Sequence, residues 1–310
     1  MFSPQFRSRL LLLSGIALAL GVIVATSKLF HVPAHREFGG SLLHEPSPIV
    51  AFVVVGTALV GCVVLCTLVA GRVRFDAGLF CAAVGAVALT ARSGTVGDVL
   101  RARTAAGGGA TVFVTFAAEL VLLYALLGLA WSVLWMLHRQ DYLKADQFRD
   151  GVEDTEDPAW IKVGALLMQA GVMALFMLLL AQTDSKTQVV WAVGISAYVG
   201  TIASYYVYPV SPSAWLWTGP MLVGLAGYVL AYFNLDVNDA AWRTGQLRFT
   251  FAALARALPL DYATAGTAGA VMGYWMGRKW YRQRMIEAGE GAAGTAVKQE
   301  AMEQFFGKAP

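Results

Sequence analysis

Apolar residues run along this chain in long unbroken blocks, without the alternation of a strand or the single stripe of a surface helix. Eight blocks fall at 10–29, 49–70, 77–91, 111–137, 159–181, 189–207, 215–233 and 260–276. At 1.5 Å of rise per residue, ~20 apolar residues cross a hydrocarbon layer ~30 Å thick. Backbone groups inside that layer must be satisfied within the segment or in a closed barrel, and continuous blocks do not have the two-residue period of a barrel strand. The pattern predicts an all-α polytopic transmembrane bundle of about eight helices over residues 1–284, with a tail over 285–310. The third block is the weakest span, since its fifteen or so residues barely reach across.

Polar residues between the blocks predict the topology. Arg7 and Arg9 precede the first block, which is longer than the 7 to 15 apolar residues of a cleavable signal and reads as a retained helix, with cleavage after Ser27 as the alternative. Arg72 and Arg74 follow block two, His138, Arg139, Lys144 and Arg149 follow block four, and Arg278, Lys279, Arg282 and Arg284 follow block eight. Basic short flanks stay in the cytoplasm, so eight crossings put both termini there. Asp157 as N-cap with Pro158 at the first helical position starts block five, and the acidic run Glu153 to Asp157 suits that helix dipole. Tyr205, Tyr206, Tyr208, Trp215 and Trp217 fit an aromatic belt at one interface. A short helix lying in the membrane surface is expected over Arg248 to Leu258, and the tail reads either as a mobile segment with a short docking helix within Thr295 to Phe306 or as a frayed, partly disordered terminus.

Composition agrees: 57% of the 310 residues are hydrophobic and 14% charged, against about a quarter charged in a soluble domain. Mean hydropathy is +0.59. The net charge of +3 is spread out and forms no basic stripe with aromatics, so a nucleic-acid partner is excluded. Cys62, Cys66 and Cys81 sit in or at the edge of apolar blocks and read as small buried hydrophobes.

Few residues promise chemistry. Glu119 stands within block four, about eight residues or on the order of 12 Å from its outer end, where a charge costs at least ~2.5 kcal/mol. Tyr198 in block six stands at similar depth and Gln169 in block five about one turn deeper, so a polar cluster of Glu119, Gln169 and Tyr198 is geometrically allowed. Glu119 is then either a proton- or cation-binding group of a permease or an interhelical hydrogen-bonding group. It reads as the single deep charge. Pro220, near the start of block seven, is the one candidate helix break, or a tolerated first-turn proline. His31, His35 and His44 are weak candidates for zinc or copper, since Pro33 breaks the helical pairing of the first two. No block carries an interior histidine for haem. The segment from Asn234 to Gly245 lacks the turn glycine and final glutamate of a calcium loop. No cofactor is expected.

The strongest constellation is for packing. Gly269, Gly273 and Gly277, with Gly266 and Ala270, make a smooth ridge on block eight where another helix can approach closely, in the chain or across subunits. The leading expectation is a non-enzymatic membrane protein that serves as subunit or scaffold of a larger assembly in an inner or plasma membrane. Its partners are then the lipid bilayer and other membrane subunits or copies of itself. A small-solute or ion permease using Glu119 comes second, and a redox-cofactor carrier or intramembrane enzyme third.

Overall fold

The computed structural model describes residues 4–27, 41–44, 47–71, 73–74, 76–91, 93–105, 109–139, 157–211, 213–234, 247 and 249–287. Among them every regular element is helical. The long helices are α1 (Pro4–Ser27), α2 (Pro48–Ala70), α3 (Ala77–Thr90), α5 (Thr111–Arg139), α6 (Ala159–Leu180), α7 (Lys186–Val207), α9 (Gly219–Asn234) and α12 (Thr267–Glu287). Shorter pieces are a 3-10 turn (Leu42–His44), α4 (Val96–Ala105), α8 (Ala214–Trp217), α10 (Ala252–Ala255), α11 (Pro259–Asp261) and a π-helical turn (Tyr262–Gly266) leading into α12. The expected tail helix, His31, His35, the acidic run up to Glu156 and the stretch 235–246 lie outside the described residues.

Among the described residues six helices are long and apolar enough to cross a membrane: 6–26, 48–70, 111–136, 159–180, 186–207 and the joined 214–234. The expected count of about eight is thus met by six on length and composition. α3 has 14 residues, ~21 Å of rise, and α12 is basic in its second half. The outer surface is oily. Leu13, Ile49, Leu167, Trp191 and Phe233 are 62% exposed or more, which in water would be a large unpartnered apolar patch and in lipid is the expected contact surface.

Local sequence explains several boundaries. Pro48 opens α2 and Pro220 takes the second position of α9, where a missing N–H costs nothing. At α6 the cap is Pro158 itself, without a side-chain cap. The expected Asp157 cap is therefore a correction: its carboxylate instead accepts from the Ser211 N–H at 3.4 Å, tying the start of α6 to the α7–α8 link.

Small residues set which helices touch. A Cβ on Gly15 would meet the Cys81 sulfur at 2.9 Å and one on Gly85 would meet the Ala19 Cβ at 2.4 Å, so α1 and α3 run side by side in the same direction. Cys66 Sγ donates to the Gly15 carbonyl, Gly78 lies against Thr67, and Ile23 shares a cavity lining with Val55 and Ala86, so α2 packs against both helices and antiparallel to them. Ser204 donates to the Ala165 carbonyl at 2.6 Å and Gln169 to Thr201 at 2.7 Å, making α6 and α7 an antiparallel pair. On α12, a Cβ at Gly269 would come within 2.1 Å of the Gly194 carbonyl oxygen, and one at Gly273 within 2.5 Å of that of Tyr198. Gly277 lies against Tyr205. The glycine ridge therefore packs parallel to α7 inside the chain.

A second tie joins α12 to the α2–α3 connection. The Trp275 indole N–H donates to Asp76 Oδ1 at 2.7 Å, Arg74 lies over the same ring at 5.1 Å, and Phe80 tilts against it at 4.8 Å between centroids. A cation over the electron-rich face and an anion at the electron-poor edge match the ring's quadrupole on both sides.

Candidate functional site

Buried polar groups collect toward the end of the bundle where α5, α7 and α12 begin. Glu119 is fully buried on α5. Its carboxylate accepts from the Ser41 hydroxyl at 2.6 Å, from the Leu42 N–H at 3.0 Å and from the Leu43 N–H at 3.3 Å. These amides open the 3-10 turn just before α2, so the carboxylate caps a folded-in stretch of non-helical backbone. Irregular backbone at such a place needs partners from protein, because lipid offers none.

Ser41 also meets His44 Nδ1 at 2.6 Å. With the single serine proton committed to Glu119, Nδ1–H donates to Ser41 and the order of donation is His44, Ser41, Glu119. A Ser, a His and an acid in contact invite comparison with a nucleophilic triad. The order argues against one: in a triad the imidazole stands between serine and acid, whereas here serine stands between imidazole and acid. Burial and the positive charge of Arg103 pull the His44 imidazole down to about 4, so it is neutral at pH 7.

A second carboxylate escaped the sequence reading, which counted Glu119 as the single deep charge. Asp261 is fully buried, and Lys186 Nζ reaches both of its oxygens, at 2.7 and 2.9 Å. Asp261 Oδ2 also accepts from the Leu258 N–H at 2.8 Å, closing the first turn of α11. The signal was present, since Asp261 falls inside block eight and Lys186 three residues before block six. Nearby, Arg256 pairs with Asp184 at 2.9 Å and donates to the Ala181 carbonyl.

Between the two carboxylates stands a column of aromatic rings. His44 packs edge-on to Phe116, Phe116 against Tyr228, and Tyr228 edge-on to Tyr262. The tyrosine hydroxyls are used on backbone. Tyr228 donates to the Ala257 carbonyl at 2.7 Å, Tyr262 to that of Leu254 at 2.6 Å, and Tyr124 to that of Tyr262 at 3.0 Å. The accepting carbonyls belong to α10, the bend after it and the π turn, where the i to i−4 ladder is broken. Residues 252–266 are thereby buried within the bundle apart from a half-buried Arg256. The interfacial helix expected over Arg248 to Leu258 is corrected accordingly: α10 lies inside, against α9, where a Cβ on Gly227 would meet the Leu254 carbonyl oxygen at 2.4 Å.

The allowed cluster of Glu119, Gln169 and Tyr198 does not assemble through the bonds seen here. Gln169 is buried and donates to Thr201, with its amide carbonyl against Gly219. Tyr198 is half-buried on α7 with its backbone facing Gly273. Gly266 packs on Pro220. Of the three histidines weighed as metal ligands only His44 is described, and it is engaged by Ser41. Among the described residues no three His, Cys, Asp or Glu side chains group to hold a metal. The residues that sequence reasoning missed are Ser41, Tyr124, Lys186, Tyr228, Asp261 and Tyr262. Chemically the arrangement holds backbone in place and offers one short hydrogen-bonded chain from a half-buried imidazole to a buried carboxylate. No protein-family model, curated protein or solved structure matches the chain.

Proposed function

We propose that this chain is a non-enzymatic polytopic protein that serves as a subunit or scaffold of a larger membrane assembly, with both ends cytoplasmic in an inner or plasma membrane. The observation that carries this reading is the use of Glu119, whose carboxylate is spent on a hydroxyl and two backbone amides that shape a turn. Asp261 is spent similarly, on Lys186 and the turn at Leu258. Eight crossings are supported by helix direction, because α1, α2, α3, α5, α6, α7, α9 and α12 alternate along the chain. One end of the bundle then carries Arg7, Arg9, Arg74, Lys162, Arg278, Lys279, Arg282 and Arg284, the excess expected of a cytoplasmic face.

The test is the mass of the particle extracted in mild detergent. A discrete mass above that of one chain, with a defined partner or a second copy, is the expected result. A lone monodisperse chain overturns the reading.

A second reading, a proton- or ion-coupled permease, is favoured by the chain of His44, Ser41 and Glu119. Proteoliposomes decide it: flux that Glu119→Gln abolishes supports a permease, and flux that Glu119→Gln leaves unchanged removes it.

A further inference from the structure

Asp76 occupies the N-cap position of α3 and does not cap it, since no side-chain bond closes the first turn. The carboxyl turns instead to α12, where the Trp275 N–H donates to Oδ1 at 2.7 Å. Oδ2 is buried and takes no hydrogen bond among the described residues, and the ion pairs seen among them do not include Asp76. An acid 3% exposed, held by neutral donors and with one oxygen idle, is a poor place for a charge. Burial accordingly pushes the carboxyl above its ordinary value of 3.8, against the pull of the Trp275 and Ser213 donors and of the Arg74 charge. The described charges that bear on this corner are Arg74 in the same link and Arg278 and Arg282 of α12, which act on Arg74 together with Tyr274. The α7–α8 link contributes Ser213, and Arg7 and Arg9 of α1 are exposed. Arg72 and Phe75 lie outside the described residues.

Arg74 is half-buried and lies over the Trp275 ring, 5.1 Å from its centroid. Two seats are therefore open to it: the indole face, which it occupies, and the idle oxygen two residues along the same link. A neutral carboxyl gives a guanidinium no reason to leave an aromatic face. An ionised one offers a charge-assisted bond, roughly twice as strong as a neutral one. We propose that Asp76 is a proton-operated latch between α12 and the α2–α3 connection. With the proton on the carboxyl, Arg74 stays over Trp275 and α12 is held at both the face and the edge of that ring. With the proton released to water, Arg74 leaves the face for Oδ2, and the hold on α12 is reduced to the indole N–H. The latch operates whether or not the chain belongs to an assembly.

The full-length protein is labelled with fluorotryptophan in a neutral detergent, and fluorine NMR spectra are recorded from pH 4 to 9. Of the nine tryptophan resonances, the one missing in Trp275→Phe reports on this ring. In the wild type it should move as pH rises, with a midpoint above 3.8. Asp76→Asn keeps an oxygen for the indole N–H and has no proton to release, so its resonance should stay at the low-pH position throughout. Arg74→Gln removes the cation that favours the ionised form and that moves when it appears; its midpoint should shift upward and most of the amplitude should be lost. Three outcomes overturn the proposal: the Trp275 resonance stays fixed between pH 4 and 9, D76N titrates as the wild type does, or R74Q titrates as the wild type does. Should D76N fail to fold, R74Q decides by the same criterion.

Discussion

Glu119→Gln preserves the size of the side chain but replaces one accepting oxygen by an N–H2 group, which must then face a donor at Ser41, Leu42 or Leu43. An unsatisfied buried group costs about 1–3 kcal/mol, so the thermal midpoint in detergent should fall, and further for Glu119→Ala; an unshifted midpoint would show that the carboxylate does not hold the turn. His44 gives a pH signature. Its folded value, about 4, lies below the ordinary imidazole value of 6.5, so the unfolded chain binds the extra proton first. Stability is therefore complete above pH 6.5, falls as pH drops toward 4, and levels off below. Allowing for its partial exposure, the loss is roughly 1 kcal/mol. Unfolding midpoints between pH 7.5 and 4 should show this slope, and His44→Gln should flatten it. Glu119 was legible in the sequence because one acid among apolar residues is an outlier wherever it lands. Its partners were not, because two of them are backbone N–H groups 77 and 76 residues away, and every residue except proline carries such a group.

At the scale of elements, the helices were legible because a lipid solvent demands long apolar runs, and the glycine ridge because its four-residue period marks one face. That the ridge meets α7, in parallel, came only from packing. Gly269→Ala places a methyl where the Gly194 carbonyl already sits. Forcing the pair apart should cost about 1–3 kcal/mol, whereas Gly61→Ala, with open space around it, should gain up to ~1 kcal/mol from helix propensity. Thermal unfolding of the two variants should shift in opposite directions; equal shifts would remove the ridge from the account. The departures from expectation share a cause. The stretch Arg248 to Leu258, mixing Phe249, Phe251, Leu254 and Leu258 with Arg256, reads as interfacial, yet α10 is drawn inward because Gly227 lets its backbone approach and tyrosine hydroxyls take up the loose carbonyls of Leu254 and of Ala257 just beyond it. The π turn was likewise invisible, because tertiary partners, not periodicity, decide its backbone.

Over the whole molecule, polar ties between helices distant in sequence are each costly to break alone. Lys186→Met leaves Asp261 buried beside a thioether, and an uncompensated buried charge costs about 3–5 kcal/mol. The double variant K186M/D261N should recover much of that loss; if the single variant melts like the wild type, the ion pair is not a fastener. Topology is checked by impermeant labelling of a cysteine placed at residue 7 or at residue 284, with the three buried native cysteines kept. Both positions should label from the same side, and opposite sides would discard the alternation of directions.

The parallel seating of α12 on α7 has a consequence in time. Gly194 and its partner Gly269 are separated by 75 residues, which at cellular translation rates means roughly 4 to 15 seconds between the two. For that interval the groove of α7 that receives α12 faces lipid or the insertion machinery, empty. A message cut short before residue 267 would release a chain whose groove never fills, and surveillance that senses unfilled small-residue grooves in the bilayer would find its mark there.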